Sequence, residues 1–279
     1  MERQYCESRT DELNGREIHL SRADIHKGHL ILINQTNGMK DSPASEELGA
    51  LSQHAGIKQW SEGMQLEESC LRQFTALLKA SGGIDEVVAV SAYRTQQEQE
   101  QIYAGSLAEN GPEYTARYVA LPGHSEHQSG LAIDVGALSG EMDFIAPSFP
   151  DSGACLAFKQ LAASYGFIQR YKADKEAITG ISCEPWHFRY VGYPHSAIME
   201  QRSQCLEEYI ESLEKHEQPN ELIYRDEAAE FRIYYMPFGK GERMTVPVNC
   251  SGNFSVSGTN REGFVVTVKQ GIEQVDHAE

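Results

Sequence analysis

Apolar residues along the chain recur at two periods, and the switch between them outlines the elements. Between Met64 and Ala80, Leu71, Phe74, Leu77 and Leu78 fall at helical spacing, and Ser81-Gly82-Gly83 supplies a C-terminal stop. Val87-Val88-Ala89-Val90 follows as a short continuous apolar run and reads as a buried strand. Thr95 and Glu98 form a capping box, so a helix starts there, carries Gln99, Ile102 and Tyr103, and is broken by Asn110-Gly111-Pro112 before a shorter helix through Tyr118. Leu131, Ile133 and Val135 then alternate with Ala132, Asp134 and Gly136, which predicts a strand with Asp134 on the face away from the core. An amphipathic helix is expected from Ala154 to Tyr165, stopped by Gly166, then a strand over Phe167–Tyr171. In Glu184-Pro185-Trp186-His187-Phe188-Arg189-Tyr190 the aromatic residues alternate with His187 and Arg189, giving another strand. Pro185 should disturb its start and free Glu184 from the face that alternation assigns it.

The two ends have a different texture. Residues 1–20 show no periodicity and are expected to be an irregular lead-in, while His29–Asn34 reads as a short strand. Helical spacing returns from about Ser196 to Lys215, and Pro219 marks a boundary. Beyond it come strands at Phe231–Met236, Met244–Val248, Asn253–Val256 and Phe264–Val268, separated by glycine-containing turns. The pattern is a coarse α+β signal, with one domain over residues 1–217 and a small β-rich appendage over 218–279. Phe231, Ile233, Phe264 and Val266 call for a packing partner, most simply the larger domain. The appendage holds His277 but no cluster of metal ligands.

Composition narrows the classes. The formal charge of -17 over 279 residues argues against a nucleic-acid groove, which needs a basic surface. No apolar run approaches the roughly 20 residues that span a bilayer. Acidic residues crowd the start and Leu30–Ile33 is too short for a leader, so a cytoplasmic protein is expected; an exported chain without its leader would read the same. The six cysteines (Cys6, Cys70, Cys155, Cys183, Cys205 and Cys250) include no C-x-x-C pair and read as mostly free thiols.

The candidate chemistry lies in two stretches. His127 and Asp134 are seven residues apart, roughly 23 Å in a fully extended strand. They share a ligand only if the chain turns, and Ser129-Gly130 is where a turn falls. Adding His187 gives two imidazoles and a carboxylate, a set that suits a catalytic zinc ion with one open position. Glu184, three residues before His187, is the natural general base for a water whose pKa zinc lowers to about 7. The spacing is not H-E-x-x-H, so the ligands come from strands and turns rather than one helix. Arg94, at a strand-to-helix junction, is either presented into a cleft or an ordinary surface arginine. His124 is read as a cleft-lining or surface residue, and His19, His26, His29, His54 and His216 as solvated. A nucleophilic Cys183 is disfavoured because Glu184 beside it raises its pKa.

The runs Ser125-Glu126-His127-Gln128-Ser129-Gly130-Leu131-Ala132-Ile133-Asp134 and Glu184-Pro185-Trp186-His187 resemble S-x-H-x-x-G-x-A-x-D and E-x-W-H of a zinc metallopeptidase family. That family includes D-Ala-D-Ala carboxypeptidases and dipeptidases, lysostaphin-type endopeptidases and the hedgehog domain. The longer stretches 121–136 and 178–192 are most similar to the VanY and VanXY peptidases of glycopeptide resistance, and the resemblance covers roughly residues 28–215. It implies a central, mainly antiparallel sheet with flanking helices. It also implies Zn2+ on His127, Asp134 and His187, Glu184 as base, and Arg94 against developing negative charge. Ser125, Gln99, Trp186 and Tyr93 become substrate-pocket residues. Some relatives carry Asp where this chain has Ser91, which leaves the balance between dipeptidase and carboxypeptidase open. The implied substrate is D-Ala-D-Ala or a precursor pentapeptide, and the protein is expected as a monomer or homodimer. Alternatives are an L,D-carboxypeptidase, a peptidoglycan endopeptidase, or a zinc-containing binding module that has lost catalysis; retention of Glu184 and Arg94 argues against the last.

Overall fold

The computed structural model describes residues 16–138, 143–248 and 253–271. Cys6, Cys250 and His277 lie outside the described residues. In chain order the strands are β1 (Arg16–Ser21), β2 (Leu48–Ala50), β3 (Lys58–Gln59), β4 (Gln65–Glu67), β5 (Val87–Ser91), β6 (Ala132–Ala137), β7 (Phe167–Tyr171), β8 (Glu184–Tyr190), β9 (Leu222–Arg225), β10 (Ala229–Pro237), β11 (Arg243–Val248), β12 (Asn253–Gly258) and β13 (Gly263–Gly271). The helices are α1 (Glu68–Ala80), α2 (Gln96–Tyr118), α3 (Gly153–Leu161), α4 (Glu176–Thr179), α5 (His195–Gln201) and α6 (Leu206–Leu213). Two compact units result. One is Ile33–Glu207; in the other, the described residues of the segment ending at Leu32 join those from Glu208 onward.

The larger unit holds a five-stranded sheet in the order β3-β5-β6-β8-β7. Only the β3–β5 pair is parallel, so the sheet is mainly antiparallel with flanking helices, as the resemblance implies. All five residues of β5 are buried, which is why the run shows no alternation. Helix α1 buries Cys70, Leu71, Phe74, Leu77 and Leu78 along one face. The helix starts one turn after the expected Met64, because Gln65–Glu67 pairs with Leu48–Ala50. The Glu67 carboxylate then caps the helix, accepting the N–H groups of Ser69 and Cys70 at 2.8 and 2.9 Å. Helix α2 breaks at Gly111, whose φ of 78° is left-handed, where the sequence placed the break. The helix read over Ser196–Lys215 is two helices, α5 and α6, with Ser203 between them at φ 51°.

The smaller unit contains a two-stranded pair, β1 with β11, and a four-stranded antiparallel sheet in the order β12-β13-β10-β9. Residues 16–20, read as irregular, are therefore strand: Ile18 and Leu20 are buried and His19 between them is exposed. Three residues of alternation beside a polar segment are too few to stand out. Ile18, Leu20, Ile25, Tyr234, Val246, Phe254, Phe264, Val266 and Val268 form the unit's core, so Phe264 and Val266 find partners within it. Leu30–Ile33 is not a strand, although all four side chains are buried. Its backbone bonds individually: Leu30 N–H donates to Ser257 Oγ at 2.9 Å, Leu32 N–H to the Thr259 carbonyl at 3.0 Å, and Asn260 Nδ2 to the Leu32 carbonyl at 2.9 Å. A continuous apolar run reports burial rather than strand. His29, read as solvated, is buried beside it.

An aromatic cluster backs the strand that carries His187. Phe158 of α3 is fully buried and meets Phe188 at 4.9 Å, Phe149 at 5.6 Å and Phe74 at 6.2 Å between ring centroids, all edge to face. Truncating Phe158 removes the hub of that cluster and leaves a cavity. Phe158→Ala is expected to cost about 3–5 kcal/mol in urea unfolding with an unchanged m-value. A loss below about 1 kcal/mol would contradict this account of the core.

Candidate active site

His127 and Asp134 are brought together by the turn the sequence placed at Ser129-Gly130. Residues Glu126–Ser129 form one 3-10 turn that ends at Gly130 with φ 72°, its N–H donating to the His127 carbonyl at 3.2 Å. A Cβ there would lie 2.9 Å from Leu48 Cδ2 and 3.0 Å from the Glu67 nitrogen, so glycine is required both for conformation and for space. The reversal brings His127 Nε2 to 3.1 Å from Asp134 Oδ2. Asp134 in β6 stands directly opposite His187 in β8, and antiparallel partners hold their side chains close, here Oδ1 to Nδ1 at 2.8 Å.

Glu184 reaches the same face through an irregularity. Gln169 pairs with Phe188 and Tyr171 with Glu184, so three residues of β8 around Pro185 span the length of one in β7. Strict alternation would set Glu184 and His187 on opposite faces; instead Glu184 Oε2 lies 3.8 Å from His187 Nδ1. Both residues line one cleft with Arg94, Ser125, Glu126, His127, Asp134, Tyr171 and Trp186, and Phe144 and Ile145 add apolar wall.

The donor set fits a metal cation. His127 Nδ1 lies 2.7 Å from the Ala92 carbonyl, so that nitrogen carries the proton and Nε2 turns a lone pair towards Asp134. His187 Nε2 lies 3.3 Å from Glu126 Oε2 and donates to it, which leaves Nδ1 facing Asp134 and Glu184. Each imidazole thus has its outer nitrogen fixed by an acceptor, the usual arrangement of metal-bound histidines. One atom from each of His127, Asp134 and His187 lies within 4.8 Å of the others, and lone pairs facing a carboxylate call for a cation or a proton between them. All three residues line the cleft, so a cation held there would be reachable by a substrate, as a catalytic rather than structural site requires.

Electrostatics separates the carboxylates. Burial opposes ionisation of Asp134, but His127 and His187 beside it hold its carboxyl well below the usual range. Burial pushes Glu184 up to about 8, with Asp134 adding to the rise and His187 and Arg94 opposing it. Burial works against the His187 imidazolium, yet Asp134, Glu126 and Glu184 outweigh it and carry His187 up to about 10. Without a cation, a proton takes its place on Nδ1.

The remaining expected residues divide by position. Arg94 is not a surface arginine: Nε donates to Ser91 Oγ at 3.0 Å, Nη1 to Gln99 Oε1 at 3.0 Å and Nη2 to Asp134 Oδ2 at 3.3 Å. Gln99 is fully buried, with its amide nitrogen on the Ala120 carbonyl at 2.8 Å, so both of its polar ends are used within the protein. Tyr93 is not part of the cleft lining, whereas Ser125 and Trp186 are. His124 bonds the Asn34 carbonyl at 2.8 Å and lines a neighbouring pocket, which shares Val119, Ala120, Tyr171 and Ile181 with the cleft. The thiol of Cys183 is raised by burial and by Glu176 and Glu184, against a nucleophilic role. Sequence reasoning passed over Glu126, Arg170 and Arg189. The available signal was a pair of arginines set among the aromatic residues of two predicted strands.

A family model described as VanY, D-alanyl-D-alanine carboxypeptidase, matches residues 63–193. The bifunctional D-Ala-D-Ala dipeptidase and D-Ala-D-Ala carboxypeptidase VanXYC of Enterococcus gallinarum is 44% identical over 187 residues, which is 66% of this chain and 94% of that protein. The chain belongs to the VanY family. A D-alanyl-D-alanine carboxypeptidase of Enterococcus faecium is 33% identical over 276 residues, 96% of this chain and 84% of that one. Among solved structures, the vancomycin resistance D,D-dipeptidase VanXYg in complex with a D-Ala-D-Ala phosphinate analogue superposes with a TM-score of 0.86. It has 38% identity and covers 92% of this chain and 100% of its own. As a VanY-family member the protein is a peptidase. Among the described residues, no helix is long and apolar enough to cross a membrane.

Metal affinity should carry the signature of His187. Its Nδ1 proton is held up to about pH 10 and must leave before that nitrogen can bind a cation. Because ligand deprotonation is favoured as pH rises, affinity should increase about tenfold per unit between about pH 7 and pH 9. Competition with a chromophoric chelator measures this. A flat profile would remove His187 from the ligand set.

Proposed function

We propose that the protein is a zinc-dependent D,D-peptidase that hydrolyses the D-Ala-D-Ala bond, as a free dipeptide or at the end of a peptidoglycan precursor. The observation that carries the reading is the convergence of His127 Nε2, Asp134 and His187 Nδ1 beside the carboxylate of Glu184 in a cleft. The D-alanine specificity comes from the family: the relatives named above act on D-Ala-D-Ala, and VanXYg holds an analogue of it.

His127, Asp134 and His187 would hold the zinc ion. When bound, zinc polarises the scissile carbonyl and lowers the pKa of a coordinated water to about 7. Glu184 takes the proton of the attacking water and passes it to the leaving amine. A carboxyl raised towards neutrality suits both halves of that transfer, since it accepts and releases a proton near working pH. Arg94 keeps its charge and is anchored by Ser91, Gln99 and Asp134, so it meets the developing oxyanion without having to reorganise. Gln99 and Ser91 act through Arg94. Ser125 and Trp186, in the cleft wall, contact the substrate, and Tyr93 contributes at most from outside the lining.

Zinc-loaded protein incubated with D-Ala-D-Ala and with a UDP-MurNAc-pentapeptide is expected to release D-alanine from at least one of them. No release from either would overturn the reading, and release only from a substrate ending in an L,D bond would make it an L,D-carboxypeptidase. Glu184→Ala should retain zinc and lose about 10²–10⁴ in kcat. Full turnover in that variant would remove Glu184 as the base.

A further inference from the structure

We propose that Glu126 is the positioning residue that decides which nitrogen of His187 faces the metal, an inference that rests on the zinc reading above. Two arginines converge on one of its oxygens. Arg170 Nε and Arg189 Nη1 each donate to Glu126 Oε1 at 2.8 Å, and the side chains of all three residues are wholly buried. The other oxygen, Oε2, accepts from His187 Nε2 at 3.3 Å. Two guanidinium groups on Oε1 leave the carboxylate no freedom to turn, so Oε2 must face the imidazole. An acceptor fixed there keeps the proton on Nε2 and directs the Nδ1 lone pair at Asp134 and the metal. The charges are balanced within the network, because Arg170 also pairs with Glu207 through Nη1 and Nη2 at 2.9 and 2.7 Å. With two guanidinium groups donating to Oε1 at 2.8 Å, Glu126 stays an acceptor.

The same two arginines dictate what an isosteric change does. In Glu126→Gln, the amide oxygen must face the guanidinium donors, since an NH2 group there would oppose two N–H groups. The amide nitrogen is then forced towards His187 Nε2, where it donates. Nε2 becomes the acceptor and the ring's one proton stays on Nδ1; binding metal there would require that proton on Nε2, where the amide donor opposes it. Glu207→Gln removes a carboxylate from the same network without touching His187, and so serves as the comparator.

The test is zinc affinity by chelator competition, together with 15N shifts of the His187 ring. Glu126→Gln should weaken zinc binding about 10–100-fold, with Nε2 unprotonated in the zinc-free variant and protonated in the wild type. Glu207→Gln should bind zinc within about threefold of the wild type. Equal affinity in Glu126→Gln and wild type, or an equal loss in Glu207→Gln, would overturn the proposal. Should Glu126→Gln fail to fold, the zinc-loaded wild type decides alone: a proton on Nε2 supports the assignment, and a proton on Nδ1 overturns it. A wild type that binds no zinc overturns the metal assignment instead, while the zinc-free ring shifts still report the Glu126 contact.

Discussion

Asp134 and His187 face each other across an antiparallel ladder, and the cleft is built around keeping that carboxylate ionised in a buried place. An unpaired buried carboxylate would neutralise itself or destabilise the fold. Asp134 avoids this by meeting His127, His187 and Arg94 at 2.8 to 3.3 Å. Each partner is in turn fixed by another group: the Ala92 carbonyl for His127, Glu126 for His187, and Gln99 for Arg94. Removing any of these would leave a neighbour free to rotate, so the geometry around Asp134 depends on the groups that hold its partners.

Candidate ligands borne by strands raise a difficulty that a helical H-E-x-x-H site does not meet. Strand side chains alternate, so residues three apart point in opposite directions. Irregularities flank the cleft on both sides. Val90 is an extra residue of β5 between the pairs Ala89–Val135 and Ser91–Asp134, and three residues of β8 stand against one of β7 around Pro185. The first lies just ahead of the Ala92 carbonyl that holds His127 and of Arg94. The second brings Glu184 and His187 onto one face. Bulges re-aim side chains without abandoning the sheet, and here they do so where the chemistry needs them.

What the sequence disclosed follows from this architecture. The turn at Gly130, the break at Gly111 and the bend at Pro185 were legible because glycine and proline constrain the backbone locally. The convergence of His127, Asp134 and His187 was legible because their types and spacing carry chemistry. The strand β1 and the buried loop at Leu30–Ile33 were not, because each is defined by what it meets more than 200 residues away in the chain: Val246 opposite Ile18, and Ser257 against Leu30. Glu126 was hidden for the same reason. Beside His127 it reads as an ordinary charged neighbour, and only the fold places Arg170 and Arg189 upon it.

Three acidic side chains within one cleft end with three different characters, and none of the differences is intrinsic to the residue. Asp134, between two imidazoles, is held ionised, as a candidate ligand must be. Glu126, beneath two arginines, is held ionised and serves as a fixed acceptor. Glu184 is pushed up to about 8 by burial, with its anionic neighbour Asp134 adding to the rise. A zinc ion bound between them would draw Glu184 back down from that value, because a nearby cation favours the carboxylate. Under the proposed mechanism that direction is the useful one, because the ion that would activate water would also ready Glu184 to take its proton. Pushing the pKa values of neighbouring carboxylates apart is how one site divides the roles of ligand and base.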